Sequence, residues 1–259
     1  MLAAAIVPGV LIGAALGLLG GGGSVLTVPI FVYVLGFSPK EAIAMSLAVV
    51  AATSAFGTVG YWRAGHVNVR IATVFGGVAM LGTLLGVRLA RFIPGTPQMV
   101  MFGAVMLAAA VFMLRGRPPC DEQRREGTRS VASTVKVVAG GLLVGSLTGI
   151  VGVGGGFLIV PALVLMQMPL RAAVGTSLLV ITGTCVVGVL GYLGHVSLDW
   201  AAVALVAAGT LPGMALGSYL HQYVPQPILR RGFAVFLVVM AAFIFIESMG
   251  PLSAVSRNR

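Results

Sequence analysis

The sequence predicts an all-α integral membrane protein made of two homologous repeats, each of about five hydrophobic helical segments that include a glycine-broken half-helix pair. Three observations predict it. Hydrophobic residues make up 58% of the chain and charged residues 8%, against roughly 25% charged in an ordinary soluble domain. Apolar runs of helical length recur from end to end. One glycine-rich pattern is written twice: residues 17–30 read GLLGGGGSVLTVPI and residues 149–162 read GIVGVGGGFLIVPA. Gly17, Gly20, Gly22, Gly23, Leu26, Val28 and Pro29 recur as Gly149, Gly152, Gly154, Gly155, Leu158, Val160 and Pro161.

The apolar segments fall at about 3–20, 24–36, 41–62, 69–91 and 98–114, then at about 135–152, 156–168, 172–193, 199–221 and 228–247. The first lacks the basic start of a signal peptide and already carries the beginning of the glycine motif, so it reads as mature structure. Segments 41–62, 69–91 and 172–193 can cross a bilayer core, which takes roughly 20 residues. Segments 24–36 and 156–168 are too short to cross alone and read as half-helices that begin at the glycine break. The extended polar stretch from Arg115 to Lys136 reads as a linker, which divides the chain into a first repeat (1–114), a basic cytoplasmic linker (115–135) and a second repeat with a short basic tail (136–259).

The halves match well beyond the glycines. Ala42, Ser46, Leu47, Thr53, Gly57, Gly60, Tyr61, His66 and Val67 correspond to Ala173, Ser177, Leu178, Thr184, Gly188, Gly191, Tyr192, His195 and Val196. An odd number of crossings per half inverts the second copy and an even number keeps it parallel. With an odd number the linker side collects eleven of the sixteen basic residues, and with an even number ten. The positive-inside rule places the linker in the cytoplasm either way. Inversion is the preferred reading, because residues 3–36 as one helix would be roughly 50 Å long, too long for one span.

A repeated glycine break in a membrane protein points to a transporter's binding site. Glycine lets the chain turn sharply, and a half-helix starting after it presents unpaired N–H groups and a positive dipole end. Two such starts form a cage of backbone donors that prefers an anion. The residues read into that cage are Gly20, Gly21, Gly22, Gly23 and Ser24 in the first copy and Gly152, Gly154, Gly155 and Gly156 in the second. Ser46, Thr176 and Ser177 supply supporting hydroxyls from the following helix of each half. The competing readings are bonding of Ser and Thr to their own preceding turn and simple close packing of helices at glycine. Packing is the preferred reading for Gly57 and Gly188.

His66 and His195, matched at polar junctions, are candidates for proton coupling or plain interfacial anchors. Glu247 reads as reaching the interface, and Arg88 and Arg91 as snorkelling. Trp62, Trp200, Tyr61, Tyr192, Tyr219 and Tyr223 read as an aromatic belt. Cys120 and Cys185 make neither a disulfide framework nor a metal site. The net charge of +10 reads as basic cytoplasmic loops and not as nucleic-acid binding. No cofactor or metal is expected, and no enzyme motif stands out.

The pattern from Gly149 to Pro161, together with Arg171-Ala172-Ala173-Val174-Gly175-Thr176-Ser177-Leu178, resembles the signature of the TauE/SafE family of sulfite and sulfonate exporters. The first copy is looser, with Ser24 in place of a glycine and Ala44-Met45-Ser46 where the second copy has Gly-Thr-Ser. The resemblance implies a bacterial-type inner-membrane permease for sulfite, sulfonates or related small anions. The bilayer and a small sulfur oxyanion or sulfonate are the expected partners, and a homodimer is left open. An anion channel and a non-transporting membrane scaffold subunit stand as the alternatives.

Overall fold

The computed structural model describes residues 2–19, 22–115, 131–152, 156–165, 168–221 and 226–249. These residues form ten α-helices in order: α1 (Leu2–Leu19), α2 (Thr27–Pro29), α3 (Pro39–Arg63), α4 (Val69–Ala90), α5 (Gly95–Arg115), α6 (Val131–Val151), α7 (Gly156–Leu165), α8 (Leu170–Tyr192), α9 (Trp200–His221) and α10 (Gln226–Met249). Among the described residues no strand occurs. Helices α3, α4, α8 and α9 are long and apolar enough to cross a membrane.

Helix starts follow local chemistry. Ser38 caps α3 in a capping box: its N donates to Glu41 Oε2 at 3.1 Å and its Oγ accepts from Glu41 N, with Pro39 at the first helical position. Asn68 Oδ1 accepts from Ile71 N at 3.1 Å to start α4. Asp199 Oδ1 accepts from Ala201 N and Ala202 N at 2.9 and 3.0 Å to start α9. The α3–α4 and α8–α9 hairpins turn at Gly65 and Gly194, both with positive φ.

One element departs from expectation. The chain after the first glycine run is not one half-helix; it is a 3-10 turn (Gly22–Leu26), then α2, then a wide π turn (Ile30–Val34). Pro29 explains the change of winding, since it lacks an N–H and its ring crowds the carbonyl four residues back. The helix widens just after it, with Leu35 N donating to Ile30 O at 3.0 Å.

Helices α3 and α8 form the centre. Their apolar stretches are 67% and 61% buried, against 39% for both α4 and α9. They cross antiparallel: Leu47 lies against Gly188, Ser54 Oγ accepts from Thr182 Oγ1 at 3.0 Å, and Gly57 lies against Leu178. Helix α9 flanks α3 and α4 flanks α8, while α5 packs on α10. Two parallel seams complete the bundle, α1 on α9 and α6 on α4. Along them backbones touch: Gly9, Gly13 and Gly17 face Gly209, Thr210 and Gly217, while Gly82 and Gly86 face Gly145 and Gly149. Small residues allow this approach.

Exchanging α1–α5 for α6–α10 reproduces these pairings, down to single residues. Gly57 faces Leu178 and Met214, and Gly188 faces Leu47 and Thr83. The exposed sides of Trp62, Trp200 and Tyr219 suit the aromatic belt. Tyr192 does not: it is 4% exposed and turned inward. Tyr223 lies outside the described residues.

The seams give a sharp contrast between glycines. At Gly86 an added Cβ would lie 3.0 Å from Gly149 Cα, whereas at Gly77 nothing lies within 4 Å. Gly86→Val is therefore expected to destabilise by about 1–3 kcal/mol or more, and Gly77→Val to stay within about 0.5 kcal/mol of the parent. Thermal unfolding of both variants in detergent checks the contrast.

Candidate functional site at two glycine breaks

The second break is anchored from three sides. Helix α6 ends at Gly152, whose N donates to Thr148 O at 2.8 Å. Gly152 has φ +75°, and a Cβ there would sit 2.8 Å from Ile43 Cβ on α3. Both the dihedral and the space demand glycine. The carbonyls freed at the helix end need partners, and three other helices supply them. Ser46 Oγ of α3 lies 2.5 Å from Gly152 O and 2.8 Å from Ile43 O, sharing its one proton between them. Gln98 Nε2 of α5 donates to Ile150 O at 3.0 Å, and the Tyr192 hydroxyl of α8 donates to Gly149 O at 3.0 Å. Helix α7 restarts at the buried Gly156.

The first break is held by packing. At Gly23 an added Cβ would lie 2.6 Å from Ala15 C and 2.7 Å from Ile12 O, so the chain doubles back directly onto α1. Ser24 and Thr27 follow, both wholly buried. The 3-10 turn packs against α7 and α2 packs against α3. The two broken segments therefore meet beside the α3–α8 crossing.

The predicted residues distribute as follows. Gly22, Gly23 and Ser24 lie in the 3-10 turn, Gly152 closes α6, and Gly156 opens α7. Gly20, Gly21, Gly154 and Gly155 lie outside the described residues. Ser46 reaches the second break, where its hydroxyl proton serves the protein's own carbonyls. Ser177 Oγ donates to Val174 O at 2.8 Å. Thr176 Oγ1 accepts from Asn68 N at 3.0 Å and ties α8 to the α3–α4 hairpin. His66 sits in that hairpin and His195 in the α8–α9 hairpin, whose Ser197 Oγ donates to Glu41 Oε1 at 3.0 Å near the start of α3. The antiparallel α3 and α8 carry the two histidines to opposite ends of the bundle. Arg88 and Arg91 are exposed, and the side chain of Glu247 lies outside the described residues.

Three residues of the site escaped sequence reasoning: Thr27, Gln98 and Tyr192. For Thr27 a signal existed, since the aligned residue of the second copy is Ile159. Among the described residues no three His, Cys, Asp or Glu side chains gather as metal ligands.

A bundle of apolar helices around a broken core defines a multi-pass membrane protein, and its relatives make it a transporter. The chain belongs to the family described as Sulfite exporter TauE/SafE, whose model matches residues 5–244. A probable membrane transporter protein of Xylella fastidiosa is 35% identical over 252 residues, covering 95% of each chain. The probable membrane transporter protein YdhB of Bacillus subtilis is 27% identical, covering 88% of this chain and 92% of the relative. A probable membrane transporter protein of Methanocaldococcus jannaschii is 25% identical, covering 93% and 94%. No solved structure matches the chain.

The anchoring of Gly152 makes a stability prediction. Ser46→Ala strips a buried carbonyl of its donor and is expected to cost about 1–3 kcal/mol. Gly152→Ala adds a strained dihedral and a clash with Ile43 and should cost more than Ser46→Ala. Unfolding midpoints of the two variants, measured in one detergent, give the order.

Proposed function

We propose that this protein is a secondary transporter that exports small sulfur-containing anions, such as sulfite or organosulfonates, and binds them where the two glycine breaks meet. The observation that carries the proposal is the packing of the 3-10 turn (Gly22–Leu26) against α7, which brings together the two copies of the motif. The start of α7 offers backbone N–H groups and a positive dipole end to an anion. Irregular backbone within a membrane is tolerated where it lines a cavity or is enclosed in protein. The description of the family as sulfite exporters supports the substrate class.

The antiparallel crossing of α3 and α8, whose residues correspond position by position, supports reading the halves as inverted repeats with an odd number of crossings each. Arg63, Arg70, Arg171 and Arg231 then join the linker's end of the bundle. That end, rich in Lys and Arg, is cytoplasmic by the positive-inside rule. Alternating access would follow from rocking one repeat against the other. An anion leaving a cell with a negative interior is assisted by about 2.3 kcal/mol per charge per 100 mV.

Thermal-shift titration of the purified protein with sulfite, ethanesulfonate, sulfate and chloride tests the binding. A sulfur anion at a hundred times its dissociation constant should stabilise by about 2.7 kcal/mol, with chloride inert. Counterflow of the same anion in proteoliposomes is expected for a carrier; flux that does not saturate and shows no counterflow would instead mark a channel. No stabilisation by any sulfur anion would contradict the proposal.

A further inference from the structure

Among the described residues three buried side-chain atoms have no hydrogen-bond partner: Thr27 Oγ1, His66 Nδ1 and Gln98 Oε1. Buried polar atoms seldom stay unpaired. His66 belongs to the α3–α4 hairpin, away from the breaks. Thr27 lies just beyond the first break, and Gln98 of α5 bonds the end of α6 at the second.

Thr27 is 0% exposed and stands one turn beyond Gly23. A helical threonine ordinarily donates to a carbonyl of its preceding turn, and Thr53, Thr58, Thr83, Thr148, Thr182 and Thr184 all do so in this protein. Thr27 does not. Nor does the fold require a hydroxyl there, because the aligned Ile159 is equally buried. Gln98 is 1% exposed, and its amide orientation is fixed by chemistry. Nε2 donates to Ile150 O at 3.0 Å; turning the amide over would set two carbonyl oxygens against each other. Oε1 is therefore an acceptor in want of a donor. Helix α5, which carries Gln98, packs against α7, and α7 packs against the 3-10 turn that leads into Thr27.

We propose that Thr27 and Gln98 are specificity-determining contacts of the transported anion, with Thr27 Oγ1 donating to its oxyanion and Gln98 Oε1 accepting an N–H or O–H from it. The inference rests on the sulfur-anion reading above and narrows it. An anion bearing acceptors alone would satisfy Thr27 and leave Gln98 Oε1 facing negative charge. An anion that also carries a donor satisfies both. The solute class is thus a protonated oxyanion, or a sulfonate with a hydroxyl or amino group.

The test is a thermal-shift titration of the purified full chain with ethanesulfonate, 2-hydroxyethanesulfonate and 2-aminoethanesulfonate, and with sulfite at acid and alkaline pH. In the parent protein a donor-bearing sulfonate, or sulfite in acid, should bind at least about tenfold tighter than its donor-free counterpart. Thr27→Val should leave the unfolding midpoint of the free protein equal or higher while weakening binding about tenfold, a split that a purely structural residue would not produce. Gln98→Leu should abolish the preference for the donor-bearing anion; Gln98→Met serves if that variant does not fold. Preference for hydroxy- or aminoethanesulfonate assigns the donor to the substituent, and tightening of sulfite in acid assigns it to the oxyanion. Equal affinity for donor-bearing and donor-free anions, or parent-like binding by Thr27→Val, overturns this inference and leaves the sulfur-anion reading standing. Failure of the parent to bind any of these anions overturns both.

Discussion

Lipid offers a backbone group no hydrogen-bond partner, so every helix break inside the bundle must be satisfied by the protein or by what the protein binds. The architecture around Gly152 follows from that constraint. The last carbonyls of α6 are met by Ser46, Gln98 and Tyr192, drawn from three different helices. Any movement of α3, α5 or α8 relative to α6 must break or carry one of these bonds, so the break is a junction through which the central helices are coupled. At the first break the chain instead leans on α1 through Gly23, where backbone packs on backbone.

The glycine seams serve the same end by different physics. Apolar side chains gain little from meeting one another in lipid, so helix association leans on close packing. Glycines along α1, α4, α6 and α9 bring those helices to backbone contact. The pairs α1–α9 and α4–α6 each join one half of the chain to the other. The two seams tie the repeats together on either side of the α3–α8 crossing.

Much of the fold was legible in the sequence. The long apolar segments lie within a few residues of the helices, because hydrophobic length and the caps at Ser38, Asn68 and Asp199 both act locally. The glycine repeat pointed to two breaks, and the structure brings their segments together. Less legible was what each hydroxyl does. Ser46, read as a donor to a ligand, gives its proton to Gly152 O or Ile43 O, and that depends on a crossing between residues far apart in the chain. Tyr192, placed by position in the aromatic belt, turns inward for the same reason. Thr27 carried a signal in its aligned Ile159, but the want of a partner at Thr27 Oγ1 and Gln98 Oε1 is a property of the folded chain. The winding after the first break was obscured by Pro29, whose effect on the following turn depends on how the segment packs.

The proposed anion site lies where the 3-10 turn of the first half meets the start of α7. The most direct measurement is an experimental structure of the protein saturated with a heavy-atom analogue of its substrate, such as selenite, located by its anomalous signal. One strong peak is expected beside Gly156 and Thr27, with Gln98 within hydrogen-bonding reach of the bound anion. A peak confined to the hairpins that carry His66 or His195, with none at the breaks under saturating anion, would contradict it.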